Sequence, residues 1–146
     1  LRNFFGKYRV DPLDGRIDFS GKTSTVNRIC DFIKETVNYF ETENYVFVHG
    51  WLPEGGFTAD KREKTSDALW EKSRWTRWPD KYTGERPLPD KTLVCGHVPT
   101  FSAARFDPKR EKNDVRIFYG NGLIAIDAAT ADTKQVNVLV LEDNLL

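Results

Sequence analysis

Apolar positions recur along this chain with two different periods. Val26, Ile29, Cys30, Ile33, Val37 and Phe40 return every three or four residues, which predicts a helix from Ser24 to Phe40 with one buried face and Ser24 as its cap. The period then shortens: Tyr45-Val46-Phe47-Val48-His49 is a β-branched and aromatic run closed by Gly50, the pattern of a buried strand. Residues 53–66, with Pro53, Gly55, Gly56 and the charge run Asp60-Lys61-Arg62-Glu63-Lys64, predict a solvated loop. A second helix is predicted after a Ser66 cap, with Leu69, Trp70, Ser73 and Arg77 on one side. It should stop near Trp78 because Pro79 follows. Thr92-Leu93-Val94-Cys95 predicts another buried strand, which runs into Gly96-His97. The last third reads as a strand meander, Val115 to Tyr119, Leu123 to Asp127 and Gln135 to Leu141, with turns at Asn121-Gly122 and Ala131-Asp132. Residues 1–22 show no sustained period and read as an irregular lead-in with a turn at Asp14-Gly15.

Composition narrows the function classes. A length of 146 residues suits one core, and 39% hydrophobic with 30% charged residues argues for a packed interior. The 22 basic and 22 acidic residues cancel, so no field points to a nucleic-acid partner. Apolar runs such as Tyr45 to Val48 and Val136 to Leu141 fall short of the roughly 18 residues a membrane helix needs. The first residues, Leu-Arg-Asn-Phe-Phe-Gly-Lys, lack the apolar stretch of a secretory signal. No membrane partner and a cytoplasmic location are therefore expected. Cys30 and Cys95 are too few for a disulfide framework and are expected as buried free thiols. A chain that begins with leucine and contains no methionine is expected to be a piece of something longer.

The chemistry concentrates at two histidines. Both stand where a strand gives way to a glycine-containing loop, in Val48-His49-Gly50 and in Cys95-Gly96-His97. Ligands of open α/β sheets collect outside the carboxyl ends of strands, so two histidines in that position can converge on one site. The adjacent glycines are expected to let a metal or a phosphate approach the backbone. The plainer alternative makes each histidine a core-edge residue bonded to a carbonyl. A phosphate loop at Ser20-Gly21-Lys22-Thr23 is rejected: position 16 is Arg, Gly15 is one residue too early, and no apolar strand precedes. Lys-Arg-Glu-Lys occurs at 61–64 and at 109–112, in polar surroundings that imply solvation only.

Phe47-Val48-His49-Gly50-Trp51-Leu52-Pro53, Val94-Cys95-Gly96-His97-Val98-Pro99-Thr100 and Ile124-Ala125-Ile126-Asp127 follow one another in an order that resembles the last motifs of the calcineurin-like metallophosphoesterases. That superfamily includes Ser/Thr protein phosphatases and diadenosine tetraphosphate hydrolases. The resemblance implies an α/β fold, the C-terminal half of a β-sandwich flanked by helices. It implies His49 and His97 as ligands of a dinuclear centre of Mn, Fe or Zn, and carries no role to Asp127. Trp75-Thr76-Arg77 is similar to the family's Trp-x-Arg element, which makes Arg77 the implied phosphate contact, with Arg74 as the competing choice. An arginine fork suits phosphate because it donates two bonds to one group. The alternative is that Trp70, Trp75 and Trp78 pack a helix face and the arginines extend from it.

The family's earlier motifs, Asp-x-His, Gly-Asp-x-x-Asp and Gly-Asn-His, do not occur in residues 1–146, and Gly120-Asn121 is followed by Gly122. The resemblance thus spans residues from about 25 onward and one partial domain. Two metals a few Å apart need bridging carboxylates and further ligands, which two imidazoles do not supply. Asp107 and Asp127 are candidate oxygen ligands that no spacing marks out. The implied activity is a metal-dependent phosphoesterase that hydrolyses phosphomonoesters by metal-activated hydroxide, its partners a phosphorylated substrate and an N-terminal half, in the same polypeptide or a second chain, that covers the exposed sheet. A dinucleoside polyphosphate hydrolase, or a non-catalytic binding or assembly module, are the alternatives.

Overall fold

The computed structural model describes residues 9–10, 17–18, 23–55 and 65–142. The chain divides into two compact units, residues 1–37 and 38–146. In the first, strands β1 (Arg9–Val10) and β2 (Ile17–Asp18) pair antiparallel, within the segment expected to be irregular. The Asp14-Gly15 turn and the Ser20-Gly21-Lys22 stretch lie outside the described residues. Helix α1 (Thr23–Glu35) ends five residues before the expected Phe40. Thr36 closes it, its N–H and hydroxyl both donating to the Ile33 carbonyl at 3.2 and 2.7 Å. The amphipathic spacing is real, yet Ile33 and Val37 of that face are 59% and 71% exposed, and Cys30 is exposed as well. Periodicity marks which face is apolar; burial also requires a covering element.

The second unit is a small α/β domain with one open, mixed five-stranded sheet of order β3-β4-β5-β7-β6 and short helices. β3 (Tyr39–Glu41) takes residues that the helical period had absorbed, and pairs antiparallel with β4 (Tyr45–Val48). β4, β5 (Thr92–Cys95) and β7 (Leu123–Ala125) are parallel neighbours, and β6 (Phe118–Gly120) pairs antiparallel with β7. The β6–β7 turn falls at Asn121-Gly122 as expected. Gly122 has φ +65°, in the left-handed region that glycine tolerates.

Alternation along these strands separates two faces. Val46, Leu93, Cys95, Leu123 and Ala125 point into the core with Trp70, Trp78, Tyr82, Leu88 and Phe118. The other face carries a single row across all five strands, Phe40↔Phe47↔Val94↔Ile124↔Tyr119. Its centre, Val94 and Ile124, is buried, whereas Phe40 and Tyr119 at the two edge strands are 50% and 64% exposed.

Helix α2 (Asp67–Arg74) starts after Ser66 but stops four residues before Trp78. Pro79 does not end it. Instead Pro79 lies in the first turn of a separate helix, α3 (Trp78–Lys81), where a missing N–H costs nothing. Arg77 therefore leaves the α2 face and Leu69 is partly exposed, while Trp70 and Ser73 are buried as expected. A 3-10 helix (Thr100–Arg105) follows β5, and a short α4 (Thr130–Thr133) replaces the Ala131-Asp132 turn. Gln135 to Leu141 is not a strand: Val136, Val138 and Val140 point outward and are more than 70% exposed. The Asn137 side chain ties this segment in, donating to the Val115 and Ile126 carbonyls at 2.6 and 3.1 Å, and at its start Gln135 bonds Thr130 and Thr133. Alternation selects a face, but a strand also needs ladder bonds, and Gln135 to Leu141 pairs with neither edge strand of the sheet.

Candidate functional site

Both histidines stand one or two residues beyond the carboxyl ends of the adjacent parallel strands β4 and β5. Their ring centroids are 5.0 Å apart. The parallel register puts His49 opposite Gly96, and the Gly96 N–H donates to the His49 carbonyl at 2.9 Å, so the ladder continues past both strands. Asp127 follows β7, the next parallel strand, and its charge is felt at His49. Three successive strand ends thus contribute His49, His97 and Asp127 to one edge of the sheet.

The backbone around His97 is unusual. Its φ is +64°, and the Val98 N–H donates back to the Gly96 carbonyl at 2.7 Å. This is a γ-turn with its central residue in the left-handed region, a strained conformation for a side chain with a Cβ. Surrounding bonds hold it. The Trp78 indole Nε1 donates to the Val98 carbonyl at 2.9 Å inside the core. Thr100, fully buried, directs both its N–H and its hydroxyl to the Asp127 carbonyl at 2.9 and 3.2 Å. Strain that neighbours over-determine in this way is characteristic of functional sites.

Gly50 has a role other than the one expected. A Cβ there would lie 2.4 Å from the Arg74 carbonyl oxygen and 2.7 Å from that of Thr76. The missing side chain therefore admits the end of α2, not a ligand, and the Trp51 N–H completes the dock by donating to the Ser73 carbonyl at 3.1 Å. Gly96 is less constrained, since its nearest neighbour would be the His49 carbonyl oxygen at an ordinary 3.7 Å.

Docking the α2 terminus on this turn delivers Trp75 and Arg74 to the histidines. Trp75 meets both rings edge-on, with centroids 5.9 Å from His49 and 5.6 Å from His97. The Arg74 guanidinium donates to Asn38 Oδ1 at 3.1 Å and its charge acts on His49. Partial withdrawal of His49 from water is the main reason its pKa lies below 6.5; His97 and Arg74 push it further down, and Asp127 opposes them. His49 is therefore neutral at pH 7 and keeps an imidazole lone pair for a ligand. Arg77 is placed differently: it precedes α3 and its Nε lies 3.7 Å from Asp80 Oδ2 at the exposed surface. Of the residues picked out by sequence, His49 and His97 come together with Arg74 beside them, while Arg77 engages Asp80.

The donor set fits two nitrogen ligands of a metal site. Among the described residues no group of three or more His, Cys, Asp or Glu side chains is arranged to hold an ion. Cys95 adds nothing as a thiolate, because deep burial pushes its pKa far above the usual thiol range. Asp127 spends Oδ1 on the Ala129 N–H at 2.7 Å. Asp107 likewise accepts from the Lys109 N–H at 3.1 Å, and it lines a separate open recess of about 1210 Å³ beside β6 that contains neither histidine. Trp75 as a ring shared by both histidines was missed in sequence, where it stood as the Trp of a Trp-x-Arg resemblance or, alternatively, as helix packing. No family model, no curated protein and no solved structure matches this chain.

Proposed function

We propose that this chain carries the second half of a calcineurin-like metallophosphoesterase domain and works as part of a metal-dependent phosphoesterase of the Ser/Thr phosphatase type. The observation that carries the reading is the meeting of His49 and His97, 5.0 Å apart at neighbouring parallel strand ends, one of them on a strained turn. The two imidazoles would each give one ligand to a pair of divalent ions such as Mn, Fe or Zn. When bound, the metals acidify water and neutralise charge that develops on the phosphoryl group. The chain's own part is to hold the two ligands through the His49–Gly96 ladder bond and to keep the Arg74 guanidinium beside them for a phosphate oxygen. Arg74 suits that role better than Arg77, whose nearest partner is Asp80.

The remaining ligands and the general acid belong, in this reading, to an N-terminal half. The apolar row Phe40-Phe47-Val94-Ile124-Tyr119 supports it, because a sheet apolar on both faces calls for a layer on each side. A dinucleoside polyphosphate hydrolase is the alternative substrate class. A non-catalytic binding or assembly module is favoured by one observation, the lack of a third ligand among the described residues.

The test is Mn-dependent hydrolysis of an aryl phosphate by the 146-residue chain and by a longer form that includes the N-terminal half this reading calls for, each beside His49→Asn and His97→Asn. The reading expects activity in the longer form only, lost by at least about 100-fold in both variants. Activity that survives either substitution would contradict it.

A further inference from the structure

We infer that Trp75 is a stacking platform for the organic part of the substrate, so that the site takes phosphate esters of a planar ring, a nucleobase or an aryl group, over esters of aliphatic alcohols. The inference rests on the phosphoesterase reading and deepens it. Among Trp70, Trp75 and Trp78, the first and last are 4% and 0% exposed, whereas Trp75 is 62% exposed. Leaving so large an apolar ring in water is unfavourable, and a ring beside two histidines is where a ligand would cover it.

The exposure does not come from a loose chain. The Trp75 and Thr76 N–H groups donate to the Lys72 and Ser73 carbonyls, and Gly50 packs directly under the carbonyls of Arg74 and Thr76. The main chain therefore fixes the indole within 6 Å of both imidazoles before any ligand arrives. A phosphate held by the histidine pair and Arg74 would lie beside this indole, whose centroid is 5.9 and 5.6 Å from the two imidazoles. A planar group on that oxygen stacks; a glyceryl or seryl group offers no π-face. Base–aromatic stacking contributes about 1–3 kcal/mol, which is about 5- to 150-fold in affinity.

Isothermal titration in the presence of Mn tests this with adenosine 5′-monophosphate, phenyl phosphate, glycerol 2-phosphate and inorganic phosphate, on the form that includes the N-terminal half, as wild type, Trp75→Ala and Trp75→Phe. Melting temperatures control for folding. Ring-bearing phosphates are expected to bind about 10-fold more tightly than glycerol 2-phosphate. Trp75→Ala should erase that preference and leave inorganic phosphate unchanged, and Trp75→Phe should keep most of it. Preference for adenosine 5′-monophosphate over phenyl phosphate would identify the ring as a nucleobase, the reverse as an aryl ester. Equal binding of ring and glyceryl esters, or a preference that survives Trp75→Ala, would overturn the inference and leave the phosphoesterase reading standing. If even inorganic phosphate fails to bind, or binds His49→Asn equally well, both fall together.

Discussion

The Gly96 N–H donates to the His49 carbonyl oxygen at 2.9 Å, one residue past the ends of β4 and β5 at Val48 and Cys95. A main-chain bond, not a side-chain contact, therefore sets the spacing of the two imidazoles. The strands can be chemically ordinary, because register and strand length alone bring the histidines together.

The turn at His97 should reveal its strain in stability. An L-residue at φ +64° is disfavoured relative to glycine, so His97→Gly is expected to be about 1 kcal/mol more stable than His97→Ala. Urea denaturation of the two variants measures the difference. Equal stabilities would mean that the turn relaxes at no cost.

Gly50→Ala tests the dock of α2. Its Cβ would collide with main-chain oxygens that cannot rotate away, so a loss of about 2–3 kcal/mol is expected, together with displacement of Trp75 from the histidines. Chemical denaturation reads the first effect. Loss of the NMR ring-current shifts on the His49 and His97 ring protons reads the second.

Stability should fall on the acid side of neutrality. The His49 pKa is lower in the folded chain than its ordinary 6.5, so the unfolded chain binds the proton more readily. The destabilisation begins as pH drops toward 6.5 and is complete below the folded pKa. His49→Gln should flatten that part of the profile in melting curves between pH 8 and pH 5. A second, separate loss is expected at lower pH. Asp114 accepts a fork of bonds from Arg116, at 2.9 and 2.7 Å, which holds its carboxyl well below 3.8, so its contribution is lost as pH falls through about 4 and below.

Lys91 and Glu41 form a 2.7 Å ion pair, only 10% and 13% exposed, and Lys91 also donates to the Thr42 carbonyl. The pair staples the β3–β4 hairpin to the start of β5. Lys91→Met is expected to cost about 3 kcal/mol by leaving a carboxylate in a poorly solvated place, and adding Glu41→Leu should recover part of it. Urea midpoints of the single and double variants decide this.

How much of this was legible in the sequence depended on how local each signal is. Thr92–Cys95 was readable to the residue, and the Asn121-Gly122 turn was marked by its glycine. The length of α1 was not, because Val37 and Phe40 continue the helical period while Tyr39–Glu41 is claimed by pairing with β4, a tertiary preference. Pro79 was read as a stop signal although proline is equally at home in a first turn. At the site, the convergence of His49 and His97 followed from strand ends. Arg74, Trp75 and the purpose of Gly50 depend on where α2 docks, and that contact leaves no periodic trace.

The central claim is that His49 and His97 form one ligand pair. Titration of the chain with Co(II), followed by its visible absorption, addresses it most directly. The account predicts one weakly bound ion per chain, with affinity lowered at least about 10-fold by His49→Asn and by His97→Asn alike. Binding that is unaffected by either substitution, or that depends on one histidine alone, would contradict it.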